Sequence, residues 1–393
     1  MIKVRSESVA VSFLKVLFNT WSKSNSLNGK EFELKKHLEG ALDWIREAQT
    51  HTTDGGVSKG YDLLRGRWAP SYPETTGYTI PTLLNAADVL QRPDIKAQAL
   101  SLADYLLKVI TPEGGVVHWK SASQAQAIVF DTGQVMFGWL AAYKASREGK
   151  YLGAAREAGD WLVSIQDPTG AWIRNQYLGF EKVIDTRVAW VLLELNRLVG
   201  DRAYVEVARH NLEWAVENQH ADGWFEHCAF TSKQDPLTHT IAYTAEGLFE
   251  CGVALNEPRY IQAAQKTARA LLDRQRQDGS LAGTYGPDWQ ETSRWSCLTG
   301  NCQMAHLWLR LFELEGDARY AQAALNAIQM VAKTQILDSQ NPNIHGAIAG
   351  SFPVSGAYER LKLPNWATKF FVDALLAQER IDRGARLKFD YPG

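Results

Sequence analysis

Six stretches of the chain turn almost wholly apolar or small after a short polar opening. They are ETTGYTIPTLLNAADVL (74–90), FDTGQVMFGWLAAYKAS (130–146), DTRVAWVLLELNRLVG (185–200), HTIAYTAEGLFECGVAL (239–255), LTGNCQMAHLWLRLFEL (298–314) and NWATKFFVDALLAQERI (365–381). Apolarity on every face, rather than along one stripe, predicts helices buried all round. The openings hold Thr, Asp, His or Asn, residue types that cap helix N-termini. Between these stretches lie six segments that are apolar on one face and charged on the other: 31–49, 93–110, 150–166, 202–219, 258–275 and 318–335. Tyr151, Tyr204, Tyr260 and Tyr320 recur near the starts of four of them, 53, 56 and 60 residues apart, as in an internal repeat.

Sixfold alternation of a buried with an amphipathic helix predicts an all-α fold, an (α/α)6 toroid with the apolar helices as inner ring. A solenoid of helix pairs repeats in the same way. Its helices each keep an exposed face, however, and the apolar segments here barely have one. The toroid is expected to span residues 31–393 as a single domain. An amphipathic N-terminal helix within residues 1–30 is expected to pack on it. The links from each amphipathic helix to the next apolar one are long and rich in Gly and aromatics. Long loops gathered at one end of a rigid ring are where function tends to sit.

Composition narrows the classes. The 393 residues are 45% hydrophobic and 22% charged, with a formal net charge of −2 and no dense Lys/Arg run. That is soluble globular material with no nucleic-acid signature. No stretch is apolar for long enough to span a bilayer. The N-terminus lacks the features of a signal peptide, and the four cysteines are scattered, so a reduced, cytoplasmic setting is expected. Gly-rich loops such as EGGVV carry no nucleotide-binding pattern, and no cofactor is implied.

Some segments resemble known families. WLVSIQDPTGAW (161–172) and WAVENQHADGW (214–224) resemble the Gln…Gly-x-Trp repeats of squalene-hopene cyclases and related prenyltransferases, with LLDRQRQDGS (271–280) a weaker version. Those families share the toroid, but their acidic Asp-x-Asp-Asp and Asp/Cys/His zinc patterns are absent. The ensemble YPETTGYTIPTL, FDTGQV, CLTGN, GSFPVSGAY and PNWATKFFVDALL resembles toroid proteins encoded with bacterial exopolysaccharide-biosynthesis enzymes. RWSCLTGNCQ is similar to the Arg-Trp segment of the glucuronyl C5-epimerase helical domain. These likenesses imply a setting in polysaccharide metabolism.

The polar rim points to the same chemistry. Carboxylates, amides and arginines mixed with flat aromatics suit sugars, whose hydroxyls pair with the former and whose ring faces lie on the latter. Glu74, Asp131, Asp185 and Glu291 are the candidate carboxylates for a glycosidase pair. Tyr78, His239 and Tyr243 are candidate bases for epimerisation or elimination at a uronate. Gln134, Arg187, Arg294, Trp295, Asn301, Tyr358, Trp366, Lys369, Trp68 and Trp289 are the candidate substrate contacts. Sequence leaves hydrolase, lyase and epimerase open. A non-catalytic glycan-binding scaffold and a terpenoid-type enzyme with an apolar cavity are the alternatives.

Plainer roles compete for the same residues. Asp131, Asp185 and Thr238 sit where helix caps are expected, Glu74 suits a helix dipole, and tryptophans can plug loops against the ring. Cys297, Cys302 and His306 invite a zinc reading, but the Cys-x4-Cys spacing is unusual for a structural site. No metal is assigned.

Overall fold

A computed structural model describes residues 32–118 and 126–384, together with Leu14. The helix expected within residues 1–30 otherwise lies outside the described residues.

Among the described residues, twelve long helices alternate as the pattern predicts. The outer ones are α1 (Leu34–Thr50), α3 (Pro93–Leu106), α5 (Gly149–Ile165), α7 (Arg202–Glu217), α9 (Pro258–Leu272) and α11 (Ala318–Thr334). The inner ones are α2 (Pro73–Leu90), α4 (Val129–Ser146), α6 (Thr186–Val199), α8 (Thr238–Leu255), α10 (Leu298–Glu315) and α12 (Asn365–Asp382). Each inner helix packs on the next, and α12 returns to pack on α2 and α1, so the ring closes. The fold is an (α/α)6 toroid and not an open superhelix.

Among the described residues, five short strands line the connections: β1 (Gly60–Asp62), β2 (Arg67–Trp68), β3 (Ser296–Cys297), β4 (Ser351–Phe352) and β5 (Lys362–Pro364). β1 pairs antiparallel with both β2 and β5, with Gly60 opposite Pro364 and Asp62 opposite Lys362. This seam joins the first long connection to the last. Asn365 locks it: its main-chain N–H donates to the Lys59 carbonyl at 3.0 Å, and its side-chain amide donates to Ser58 O and Thr75 Oγ1, both at 2.8 Å. The polar Asn at the head of an apolar helix is therefore a ring-closing residue.

The repeated residues are staples. Tyr151 donates to Asp104, Tyr204 to Asp160 and Tyr260 to Glu213, each reaching back to the preceding outer helix. At the other end of the outer helices, Gln166 donates to Gly170 O and Val207 O, and Gln275 to Gly279 O and Ala323 O. Gln335 does the same with Gly346 O and His37 O. Each amide thus ties a turn to the next outer helix. The glycine in the turn is required: Gly170 has φ +91°, and a Cβ there would run into the His210 carbonyl. Trp172 donates its indole N–H to Leu162 O and is fully buried, the loop-plugging role.

Capping is where the expectation fails. Inner helices α2, α4, α8, α10 and α12 are entered from extended residues Tyr72, Ile128, Leu237, Cys297 and Pro364, with no side-chain cap bond. Side-chain caps occur on the outer helices, at Asp201 and Asp317. An apolar cap position keeps the entering loop in the core, and it releases the first-turn polar groups of the inner helices for other partners.

Candidate active site

One cavity of about 360 Å³ opens at the end of the ring where the inner helices begin. The first two turns of α2, α4 and α8, the start of α12 and the connecting loops line it. They bring Glu74, Tyr78, Asp131, His239, Tyr243, Tyr358 and Trp366 together. The loops add Lys59, Tyr72, His118, Gln176, Tyr177 and Glu359.

A chain of four side chains runs along one wall. Tyr72 donates its hydroxyl proton to Glu74 Oε2. The same hydroxyl lies 3.3 Å from His118 Nδ1, and that nitrogen donates to Asp131 Oδ2 at 2.6 Å. Val117 bridges Ala127 just before α4, which sets His118 beside the first turn of that helix. Asp131 is 2% exposed and sits in that first turn, yet its carboxylate serves His118 rather than the helix end.

The two carboxyl groups differ in environment. Burial pushes Glu74 up from 4.5 to about 8, the Asp131 charge adding to the effect. Burial also raises Asp131, but the His118 hydrogen bond and charge oppose it. Burial disfavours the His118 cation, yet the bond to Asp131 and its charge prevail, and His118 is raised overall. Glu74 is the carboxyl that keeps its proton near neutrality, and Asp131 against His118 is the one that ionises first. Such a split assigns acid and base roles to like residues.

The floor is aromatic and polar. Tyr78 and Tyr243 meet there. Their buried hydroxyls interact with each other at the base of the cavity. Trp366 Nε1 donates to Tyr358 Oη at 2.8 Å, so the Tyr358 proton is available to a ligand. His239 is bound through Nδ1 to Gln303 at 2.6 Å, and burial holds it down at about 4, so it is neutral.

Other predicted site residues stand away from the cavity surface. Asp185 is fully buried behind the wall, accepts from Gln176 Nε2 at 2.5 Å, and is raised by burial to about 7. Arg187 donates to Glu246 and to Gln134 Oε1, beneath Tyr243. Lys369 pairs with Asp373 at 2.6 Å beneath Tyr78. Asn301 bonds the main chain of Cys297 and Leu281. Trp68 donates to Asn343 and Trp289 to Asp222 O, both as loop plugs. Trp295 packs over Gly283 and Gly356. Glu291 forms an ion pair with Arg276 on the outside, and Arg294 is exposed beside it. His306 turns to Glu246 at 3.2 Å. Cys297 and Cys302 are buried, with burial pushing the Cys297 thiol up to about 12.

No protein-family model matches the sequence, and no curated protein does. Similarity emerges in three dimensions. A heparin-specific unsaturated glucuronyl hydrolase superposes with a TM-score of 0.71 at 14% identity, over 89% of this chain and 98% of that one. The unsaturated glucuronyl hydrolase of Bacillus sp. GL1 gives 0.71 at 14% identity, over 92% and 100%. The cellobiose 2-epimerase of Bacillus thermoamylovorans B4167 gives 0.69 at 13% identity, over 87% and 97%. The likeness is one of fold. In these neighbours the toroid carries sugar chemistry, and the segments resembling cyclase repeats act here as staples.

Proposed function

We propose that the chain is a glycoside hydrolase acting on a uronate-containing oligosaccharide, with Glu74 as general acid and Asp131, steered by His118, as its ionised partner. The observation that carries this reading is a pair of carboxyl groups of unequal environment on one cavity wall, joined through Tyr72 and His118. Glu74 gives its proton to the bridging oxygen as the bond from that oxygen to the sugar carbon breaks. A water held by Asp131 and His118 attacks the carbon and yields a proton to them. Tyr72, touching both Glu74 and His118, offers the route by which that proton returns. Trp366, Tyr72 and Tyr177 supply ring faces for stacking. The fold shared with unsaturated glucuronyl hydrolases supports the uronate, and the resemblance to exopolysaccharide-associated toroids supports a role in bacterial polysaccharide metabolism, in the cytoplasm.

Epimerisation is the second reading, favoured by the neutral His239 facing the same cavity as His118. A charged and hydrogen-bonding lining counts against a terpenoid substrate. The test is incubation with an unsaturated glucuronyl disaccharide followed by mass spectrometry and proton NMR. Hydrolysis predicts two released monosaccharides. A product of unchanged mass with altered ring couplings makes the chain an epimerase, and binding without any product makes it a scaffold.

A further inference from the structure

We infer that Lys59 reads the carboxylate of the substrate, and that this carboxylate belongs to the sugar ring whose bond is cleaved. The inference rests on the hydrolase reading above.

Among the described residues lining the cavity, Lys59 and Lys182 are the lysines, and there is no arginine. Lys182 is committed to the fold. Its ammonium donates to Tyr177 O and to Phe180 O and is held by the charge of buried Asp185. Two of its three protons are spent on those carbonyls.

Lys59 is placed differently. Its main chain is fixed at the ring-closing seam, the N–H donating to Pro70 O at 2.8 Å and the carbonyl accepting from Asn365. Its Nζ is ion-paired with Glu359 Oε1 at 3.6 Å and stands 5.7 and 5.5 Å from the ring centres of Tyr72 and Trp366, on the cavity side of both. A sugar stacked on Trp366 brings a ring carboxylate beside that ammonium. Tyr72, whose ring lies 5.7 Å from that ammonium, carries the hydroxyl that bonds Glu74 and approaches His118. An anion docked on Lys59 therefore lies one side chain away from the reacting pair.

The sign of the field makes the lysine necessary. Asp131 and Glu359 put negative charge on this wall, and a further carboxylate brought beside them is repelled unless a cation receives it. Once seated, that carboxylate raises Glu74 further and keeps the acid protonated. Sequence alone hides Lys59, because it lies in a polar loop 15 residues before Glu74 and reaches the site only through ring closure.

Calorimetric titration of the full chain tests the inference. The ligands are an unsaturated glucuronyl disaccharide and the same disaccharide with its carboxyl group reduced to an alcohol. The wild type is expected to prefer the acid by about tenfold or more, the worth of a charge-assisted hydrogen bond. Lys59→Met should erase that preference while leaving affinity for the alcohol unchanged, and Lys59→Arg should restore most of it. A Lys59→Met protein that still prefers the acid overturns the inference, as does a wild type that binds both ligands equally; the hydrolase reading survives either result. A wild type that binds neither removes the hydrolase reading and the inference with it.

Discussion

His118 Nδ1 donates to Asp131 Oδ2 at 2.6 Å, a bond between residues 13 apart in sequence that joins a connection to the first turn of α4. It turns a first-turn aspartate of an inner helix from a helix-end group into half of an ion pair facing a cavity. Tyr72 connects that pair to Glu74, and the resulting chain of groups distinguishes this end of the toroid from the rest of the molecule.

Glu74 is held protonated by its surroundings, which has a consequence for stability. Its folded-state value of about 8 lies above the ordinary 4.5, so the folded protein keeps a proton that the unfolded chain releases. The stabilisation is complete below pH 4.5 and is lost as the pH rises through 8. Glu74→Gln has no proton to lose. Scanning calorimetry should find its Tm above that of the wild type by a few degrees at pH 8, with the gap closing near pH 4.5.

Arg187 is a structural ion-pair partner of Glu246 rather than a sugar contact. Arg187→Met strands a buried carboxylate and is expected to cost about 3–5 kcal/mol in urea denaturation. The double variant Arg187→Met/Glu246→Leu should recover most of that loss, which a substrate-binding role would not predict.

The glutamine staples carry the repeat. Gln275→Ala removes two hydrogen bonds to buried main-chain carbonyls. A loss of about 1–3 kcal/mol is expected, with turnover by the folded fraction unchanged.

Glu291 and Arg294 lie outside the cavity. Alanine at either position should shift stability by no more than about 0.5 kcal/mol and leave turnover intact. A large drop in rate for Glu291→Ala would return it to the site.

The fold was legible in sequence because its signal is redundant. Six apolar helices cannot be anything but internal, and the recurring tyrosines near the starts of four outer helices mark the repeat a second time. Glu74, Asp131, Tyr78, His239 and Tyr243 were legible because inner-helix first turns all face one end. Arg187, Asn301 and Lys369 share that periodic position, but their side chains find buried partners within the lumen, which no spacing reveals. His118 and Lys59 were missed for the opposite reason. They sit on irregular loops, and what brings them to the wall is the Val117–Ala127 bridge and the β1–β5 seam. Such long-range pairings leave no periodic trace.

The most direct test is the pH dependence of kcat for an unsaturated glucuronyl disaccharide, in the wild type and in Glu74→Gln. A protonated acid at Glu74 predicts turnover that falls as the pH rises through about 8, and a loss of about 10²–10⁴-fold in the variant. Turnover in Glu74→Gln at the wild-type rate, with the alkaline limb still in place, would contradict the account.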